Sequence, residues 1–144
     1  MQIKRYQKVI YTIVLAISVI WCAGILAAPL WADETGIKKD ISEYIYSFYG
    51  KSCHQLDSRS HHFGDHKLGV CSRCTSVYFG FLLGVLLYPF VMKLNNIDLP
   101  SLFYLFIGVG LMLLDVGLDL LDVQKNSFIT REVSGGIIGI ILPF

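Results

Sequence analysis

Charged side chains are scarce in this chain of 144 residues. They make up 16% of the sequence, compared with about 25% in soluble domains. Hydrophobic residues make up 54%, and the formal net charge is only +1. A nucleic-acid partner would require a concentrated basic face, which this balance argues against. The composition is that of an integral membrane protein, and the length fits one domain.

Cysteine is also scarce. Four cysteines are too few for the disulfide-dense scaffolds of small secreted proteins. Cys22 lies alone in an apolar run and is expected to be a small buried side chain. The other three cysteines and all four histidines lie within residues 53–74. A polar stretch rich in soft metal ligands, set in so hydrophobic a chain, is where we expect the chemistry.

Three long apolar stretches are separated by polar segments. Residues 9–32 and 75–92 contain no charge, and residues 99–123 begin with a long uncharged run. About 20 apolar residues cross a bilayer as a helix, so we expect three transmembrane helices at these positions. A signal peptide is the rival interpretation of residues 9–32, but its apolar core would be only about 7–15 residues long.

Two shorter segments complete the predicted fold. Within residues 37–50, apolar side chains recur at three- and four-residue spacing, which predicts an amphipathic helix at the membrane interface. Residues 51–74 form a polar Cys/His loop, and residues 133–144 are too few for a full span. The sequence therefore predicts an all-α integral membrane fold with three full transmembrane helices, an interfacial amphipathic helix and a short fourth apolar segment.

The Cys/His loop has the spacing of a metal site. Cys53 and His54 form one pair, and residues 55–70 separate them from Cys71 and Cys74. Two ligand pairs joined by a loop can close a tetrahedral zinc site. Adjacent Cys and His side chains often diverge, so another histidine (His61, His62 or His66) could replace His54. Zinc held by Cys53, His54, Cys71 and Cys74 is the favoured interpretation.

Two other interpretations of the same cysteines stay open. Cys71-x-x-Cys74 at a helix start resembles a redox dithiol, because the helix dipole and Arg73 would lower a thiol pKa. That would make the protein a membrane thiol–disulfide oxidoreductase. A structural disulfide, or a scaffold protein with a structural metal site, would also use these residues.

A second cluster of polar residues lies near the end of the third span. Asp115, Asp119 and Asp122 share one helical face, and a carboxylate within an apolar helix usually faces a cavity or a partner. Arg131 is the expected partner of Asp115 or Asp119, and its planar fork also suits a phosphate or carboxylate group. We expect Asp115, Asn126 and Arg131 to line a catalytic pocket for a lipid-like substrate. The alternative is a purely structural role, in which an ion pair fixes helix packing.

The charge distribution also predicts a topology. Lys4, Arg5 and Lys8 form a basic head, which indicates a cytoplasmic N-terminus in a multi-pass protein of the cell membrane. With three crossings, residues 33–74 and 119–134 share the outer face. The cysteine loop and the aspartate end of the third span therefore belong to one side of the membrane. The bilayer is the expected partner, and no protein partner is indicated.

The cysteine motifs resemble those of a known family of small bacterial and archaeal membrane proteins of unknown function. Its first motif is Cys-His-Gln with a following Arg, and its second is Cys-x-Arg-Cys-Thr-Gly. The matching segments here are Cys53-His54-Gln55 with Arg59, and Cys71-Ser72-Arg73-Cys74-Thr75 followed by Tyr78 and Gly80. The resemblance covers roughly residues 50–140 and implies a four-helix membrane fold with a site at these motifs.

A third family motif is matched in part. It contains an Asp-Gly, an Asn, an Arg and a Thr-Gly, and the similar positions here are Asp115-Val116, Asn126, Arg131 and Ser134-Gly135. The chain departs from the family pattern at Ser76, Val116 and Ser134. The resemblance implies no particular reaction. From the residues, a metal-assisted hydrolysis or transfer is the favoured chemistry if the site is catalytic.

Overall fold

The structure is a computed structural model that describes residues 2–92, 102–121, 123 and 127–144. Within these residues the regular structure is helical apart from one small antiparallel hairpin, β1 (His62–Phe63) and β2 (His66–Lys67). The helices are α1 (Gln2–Leu30), α2 (Ile37–Gly50), α3 (Ser72–Val91), α4 (Leu102–Leu120) and α5 (Phe128–Ile141), with a 3-10 turn at Asp57–Arg59. The predicted all-α membrane class is confirmed.

Three of the helices are long and apolar enough to cross a membrane. Tyr6–Leu30, Ser72–Val91 and Phe103–Leu120 contain 25, 20 and 18 residues. A helix rises about 1.5 Å per residue, so these lengths match a hydrocarbon core about 30 Å thick. Their outward side chains are large and exposed, among them Ile20, Phe90 and Phe106. Burying such surface requires lipid, so the chain is a membrane protein.

The amphipathic helix α2 packs antiparallel along the second half of α1. The Ser42 hydroxyl donates to the Ala28 carbonyl at 2.7 Å, and the Tyr49 hydroxyl donates to the Trp21 carbonyl at 2.7 Å. The two contacts are seven residues apart on both helices, which is about two turns. The helix α2 therefore stays beside α1 along its length. The outer face of α2 exposes an apolar stripe at helical spacing: Ile37, Ile41, Tyr44 and Phe48.

Glycines hold α3 and α5 in direct backbone contact. A Cβ on Gly139 would lie 2.3 Å from the Val77 carbonyl oxygen, and a Cβ on Gly80 would lie 2.8 Å from the Gly136 carbonyl oxygen. No larger side chain fits at Gly139 or Gly80 without moving a helix, which is the role of small residues in membrane interfaces. The contacts advance in the same direction along both helices, so α3 and α5 are parallel.

The remaining helices run the opposite way. On α4, Gly108 faces Ile138 of α5. The Cys22 thiol of α1 donates to the Tyr78 carbonyl of α3 at 3.5 Å, and the Gly69 amide, just before α3, donates to the Ile25 carbonyl at 3.3 Å. The starts of α3 and α5 therefore meet the ends of α1 and α4. We call this end of the molecule, which also holds residues 51–71, the thiol end.

Two helices begin earlier than the apolar runs of the sequence. α3 begins at Ser72 rather than 75, and α5 begins at Phe128 rather than 133. At α5 the cause is a capping box between Ser127 and Thr130, which satisfies the first amides of the helix. Arg73 and Arg131 therefore lie on the first turns of helices. The predicted turn at 93–99, and the predicted roles of Asp122 and Asn126, lie outside the described residues.

Candidate metal centre

Cys53 is held at the end of α2 by the way that helix stops. Its amide donates to the Tyr49 carbonyl at 2.9 Å, which continues the helical pattern for two residues beyond Lys51. Gln55 then adopts a positive φ of 48° and turns the chain away. The Cys53 side chain is only 5% exposed and packs with Ile25, Tyr49 and Val70 in the one buried apolar cluster of the described residues.

Cys71 and Cys74 come from the first turn of α3. Cys71 has an extended backbone (φ −68°, ψ 163°) and is the N-cap of the helix. Its amide donates to the Cys53 sulfur at 3.2 Å, which ties the two ends of the loop together. Residues three apart share a helical face, so Cys74 turns toward the same point as Cys71.

The three sulfurs converge. The Sγ atoms of Cys53, Cys71 and Cys74 all lie within 4.8 Å of one another. A tetrahedral zinc ion bound at about 2.3 Å would hold its thiolate sulfurs about 3.8 Å apart. A contraction of no more than about 1 Å would therefore place all three in a zinc coordination sphere. The group is positioned to hold a metal ion.

The protonation of Cys71 also suits ligation. A hydrogen bond from the Cys74 thiol lowers the pKa of Cys71 to about 5; burial opposes this, and the amides of Cys74 and Arg73 and the Cys53 thiol contribute further. All four cysteines of the chain are free thiols in this structure. Because the thiolate is the form that binds metal and attacks disulfides, Cys71 is the sulfur best prepared for either role.

The loop between the ligand pairs is built around Gln55. Its side-chain amide donates to the Tyr46 carbonyl at 2.8 Å and to the Gly69 carbonyl at 2.7 Å. The Lys67 ammonium donates to the Gln55 carbonyl at 2.7 Å, and the Tyr46 hydroxyl donates to the Lys67 carbonyl. These bonds close the loop at its base. The glutamine of the Cys-His-Gln segment therefore has a structural role, which is to join the two ends of the loop.

The histidines are placed around the thiols, not among them. No histidine of the described residues belongs to the converging group, and His54 is exposed. The other three pair with carboxylates: His61 with Glu132, His62 with Asp57 at 3.1 Å, and His66 with Asp33 at 2.7 Å. The His61–Glu132 pair joins the loop to α5, and a ring contact between His61 and Phe128 at 5.3 Å supports it.

Asp115 is paired, as its depth in an apolar helix requires. The Arg73 guanidinium donates to Asp115 Oδ2 at 2.5 Å, and the Ser134 hydroxyl donates to the same oxygen at 3.3 Å. The expected direct pair of Asp115 with Arg131 is therefore wrong. The sequence interpretation placed Arg73 near the start of the same helix but gave it no carboxylate partner, because spacing along the chain does not show which residues of separate helices meet. In the structure Arg73, on the first turn of α3, points across to α4.

Arg131 lies on the first turn of α5 and is buried. It shares the thiol end with the cysteines and Asp115, although it does not contact Asp115. Asp119, one turn further along α4, has a partner of its own. Of the three predicted catalytic residues, the structure thus brings Asp115 and Arg131 to one end of the bundle, and Asn126 lies outside the described residues.

Three membrane-crossing helices and a cluster of three free thiols define an integral membrane protein with a thiol-rich site at one end. The chain belongs to the family described as "Predicted membrane protein (DUF2085)", whose model matches residues 53–144. The expected family resemblance is therefore confirmed. The matched region begins at Cys53, so it contains every residue of the thiol cluster.

One relative extends this similarity to nearly the whole chain. An uncharacterized protein, MJ1492, from Methanocaldococcus jannaschii is 34% identical over 141 residues, which are 96% of this chain and 90% of that protein. No solved structure matches the chain. The comparisons therefore establish the family and its membrane character, and any function has to be argued from the site.

Proposed function

We propose that this protein is a membrane metalloprotein that holds zinc through Cys53, Cys71 and Cys74. The observation that carries the proposal is the convergence of the three sulfurs within 4.8 Å. Thiolate ligands favour zinc among the common divalent ions, and three of them form a strong soft-donor set. The lowered pKa of Cys71 supports ligation, because less free energy is needed to remove its proton.

The fourth coordination position distinguishes a structural from a catalytic site. The sequence interpretation assigned it to His54, which would close the site. With His54 exposed and outside the group, three protein ligands leave the position open, as catalytic zinc sites do. A zinc ion with an open position supplies a Lewis acid for hydrolysis or group transfer.

The neighbouring polar residues support a substrate that carries charge. Arg73 and Asp115 form an ion pair one residue from Cys74, and Arg131 adds a buried guanidinium at the same end. Asn126 is the remaining sequence candidate. We infer a lipid-like substrate, because the spans Ser72–Val91 and Phe103–Leu120 carry these groups at a membrane boundary.

Thiol–disulfide exchange is the second candidate. It is favoured by the three adjacent free thiols, two of them from the first turn of α3. In this reaction the Cys71 thiolate would attack a disulfide substrate and release its first thiolate, and Cys74 would then displace the second substrate thiolate from the mixed disulfide. Two electrons and two protons pass to the substrate, which leaves as two thiols, while Cys71 and Cys74 become a disulfide.

The basic head supports an orientation. Lys4, Arg5 and Lys8 before the first span favour a cytoplasmic N-terminus. With α1 crossing once, the thiol end would lie on the outer side of a cell membrane, in contact with lipid headgroups. This location suits a substrate that reaches the site from the bilayer.

Metal content and thiol count together test the proposal. We expect the purified wild-type protein to contain about one zinc per chain and Cys71→Ser to lose it. Cys22→Ser is the matched control, because Cys22 is also buried but lies on α1 outside the group; this variant should retain zinc. If the wild-type protein holds no stoichiometric metal and forms a Cys71–Cys74 disulfide, the thiol–disulfide function replaces the metal centre.

A further inference from the structure

Arg131 is largely buried, and its guanidinium has no carboxylate partner among the described residues. The residue is 8% exposed. Its backbone is bonded, since its amide donates to Ser127 and its carbonyl accepts from Ser134. No carboxylate or other acceptor in the described part of the chain pairs with its guanidinium. The adjacent Glu132 carboxylate is occupied by His61.

The position of Arg131 follows from the packing of α5. Gly135 is four residues further along and shares its helical face. A Cβ on Gly135 would lie 2.6 Å from the Arg73 carbonyl oxygen and 3.4 Å from Arg73 Cγ. That face of α5 therefore packs against the first turn of α3. Because side chains lean toward the N-terminus of their helix, Arg131 is directed beside the start of α3.

The first turn of α3 contributes two more polar groups that have no partner among the described residues. Ser72 is 0% exposed, and its hydroxyl makes no hydrogen bond with any described residue. The Nε of Arg73 is likewise buried without an acceptor, although its terminal nitrogen binds Asp115. Buried groups of this kind usually have a partner, so each one that lacks it calls for an explanation.

These unpartnered groups have the same chemical character. The guanidinium of Arg131, the Nε–H of Arg73 and the hydroxyl of Ser72 can all donate. The charge of Arg73 is balanced by Asp115, whereas Arg131 has no counter-charge among the described residues. The parallel helices α3 and α5 also direct the positive ends of their dipoles to this region. An anion with several acceptor oxygens would satisfy all of these groups.

We propose that the region between the first turns of α3 and α5 binds a phosphate group, with Arg131 as its main ligand and Ser72 and Arg73 as further donors. The planar guanidinium group of arginine can donate hydrogen bonds to two oxygens of the same phosphate. Two sources of this chemistry exist at a membrane boundary, the phosphodiester of a lipid headgroup and free phosphate. The site requires no metal at the thiol cluster, so it goes beyond the proposed zinc function.

Binding measured on the purified full-length protein tests the site. Wild type, Arg131→Gln, Ser72→Ala and Lys51→Gln are titrated in neutral detergent with phosphatidylglycerol, with inorganic phosphate and with diacylglycerol. Lys51 is the control, because it is an exposed cation of the same end of the molecule. The zinc content of each variant is measured in parallel, so that loss of phosphate binding is distinguished from loss of the metal.

We expect a phosphate-bearing ligand to bind wild type and Lys51→Gln equally, and Arg131→Gln at least about tenfold more weakly. Ser72→Ala should fold as wild type, because its hydroxyl bonds to no described residue, and should also bind more weakly. Phosphatidylglycerol binding alone identifies a lipid headgroup, and inorganic phosphate binding identifies a free ion as sufficient.

The proposal is overturned by any of three results. These are no binding of either phosphate source to wild type, equal binding of diacylglycerol, or unchanged binding in Arg131→Gln. If Arg131→Gln does not fold, Ser72→Ala decides, and unchanged binding in that variant overturns the site.

Discussion

Arg73 of α3 and Asp115 of α4 form an ion pair at 2.5 Å, with side chains that are only 20% and 14% exposed. Arg73 lies next to Cys74 in sequence, so the pair links the first turn of α3, beside the thiol cluster, to α4. Because both charges are largely removed from solvent, their pairing is a condition for burying either of them. The thiol cluster is therefore linked to α4 through Arg73, the residue next to Cys74.

Breaking this ion pair should cost more than removing both of its charges. Asp115→Leu leaves Arg73 without a counter-charge, and we expect a loss of about 3–5 kcal/mol in the free energy of unfolding. The double variant Arg73→Met with Asp115→Leu should recover much of that loss. Unfolding by denaturant in detergent measures the cycle. Asp57→Asn, at an exposed carboxylate with a side chain 79% exposed, is the control and should change stability little.

Two glycines of α5, three residues apart, provide a test of the α3–α5 contact. Gly139→Ala would place a Cβ 2.3 Å from the Val77 carbonyl oxygen, so we expect a loss of about 1–3 kcal/mol from overpacking. At Gly136 a Cβ meets nothing within 4 Å. Gly136→Ala should therefore be neutral or slightly stabilising, since alanine favours a helix. Equal thermal stability of the two variants would contradict the parallel packing.

The lowered pKa of Cys71 predicts its reactivity in the metal-free protein. Alkylation by iodoacetamide should follow a titration centred near a pKa of about 5, far below that of an ordinary thiol. Since the Cys74 thiol is the largest cause, Cys74→Ala should raise the pKa of Cys71 and shift the profile to higher pH. The rate at each pH is read by mass spectrometry of the Cys71 peptide. A profile that Cys74→Ala leaves unchanged would remove this explanation.

The same lowered pKa has a consequence for stability. A thiol with a lower pKa in the folded state stabilises the fold above its unfolded pKa, and this contribution declines as the pH falls. For Cys71 the decline should run from about pH 9 down to about pH 5. We expect Cys71→Ser to remove this component from the pH dependence of unfolding measured without metal.

The orientation across the membrane can be read from single positions. Cysteines introduced as Lys67→Cys and Gln2→Cys lie near opposite ends of α1. They should therefore react with a membrane-impermeant maleimide from opposite faces of the membrane. With a cytoplasmic N-terminus, Lys67→Cys labels in intact cells and Gln2→Cys only after permeabilisation. The wild-type protein supplies the background from its own thiols. Labelling of both positions from the same face would contradict a single crossing by α1.

Much of the fold follows from local sequence alone. A run such as residues 9–32 must form a helix in a membrane, because every backbone amide there has to be bonded within the segment. Apolar spacing within residues 37–50 likewise identified α2 (Ile37–Gly50), since the period of a helix is a local property. The three cysteines stood out for the same reason, because soft ligands are rare in so apolar a chain.

What the sequence by itself determined about this protein is its membrane class, its helices and the residue types of its site. Only the tertiary structure decided which side chains meet: that Arg73, not Arg131, neutralises Asp115, and that the thiols converge while His54 stays outside. These pairings depend on the relative rotation and height of neighbouring helices. That geometry is set by contacts such as Gly139 against Val77, which join residues distant in sequence and leave no local pattern.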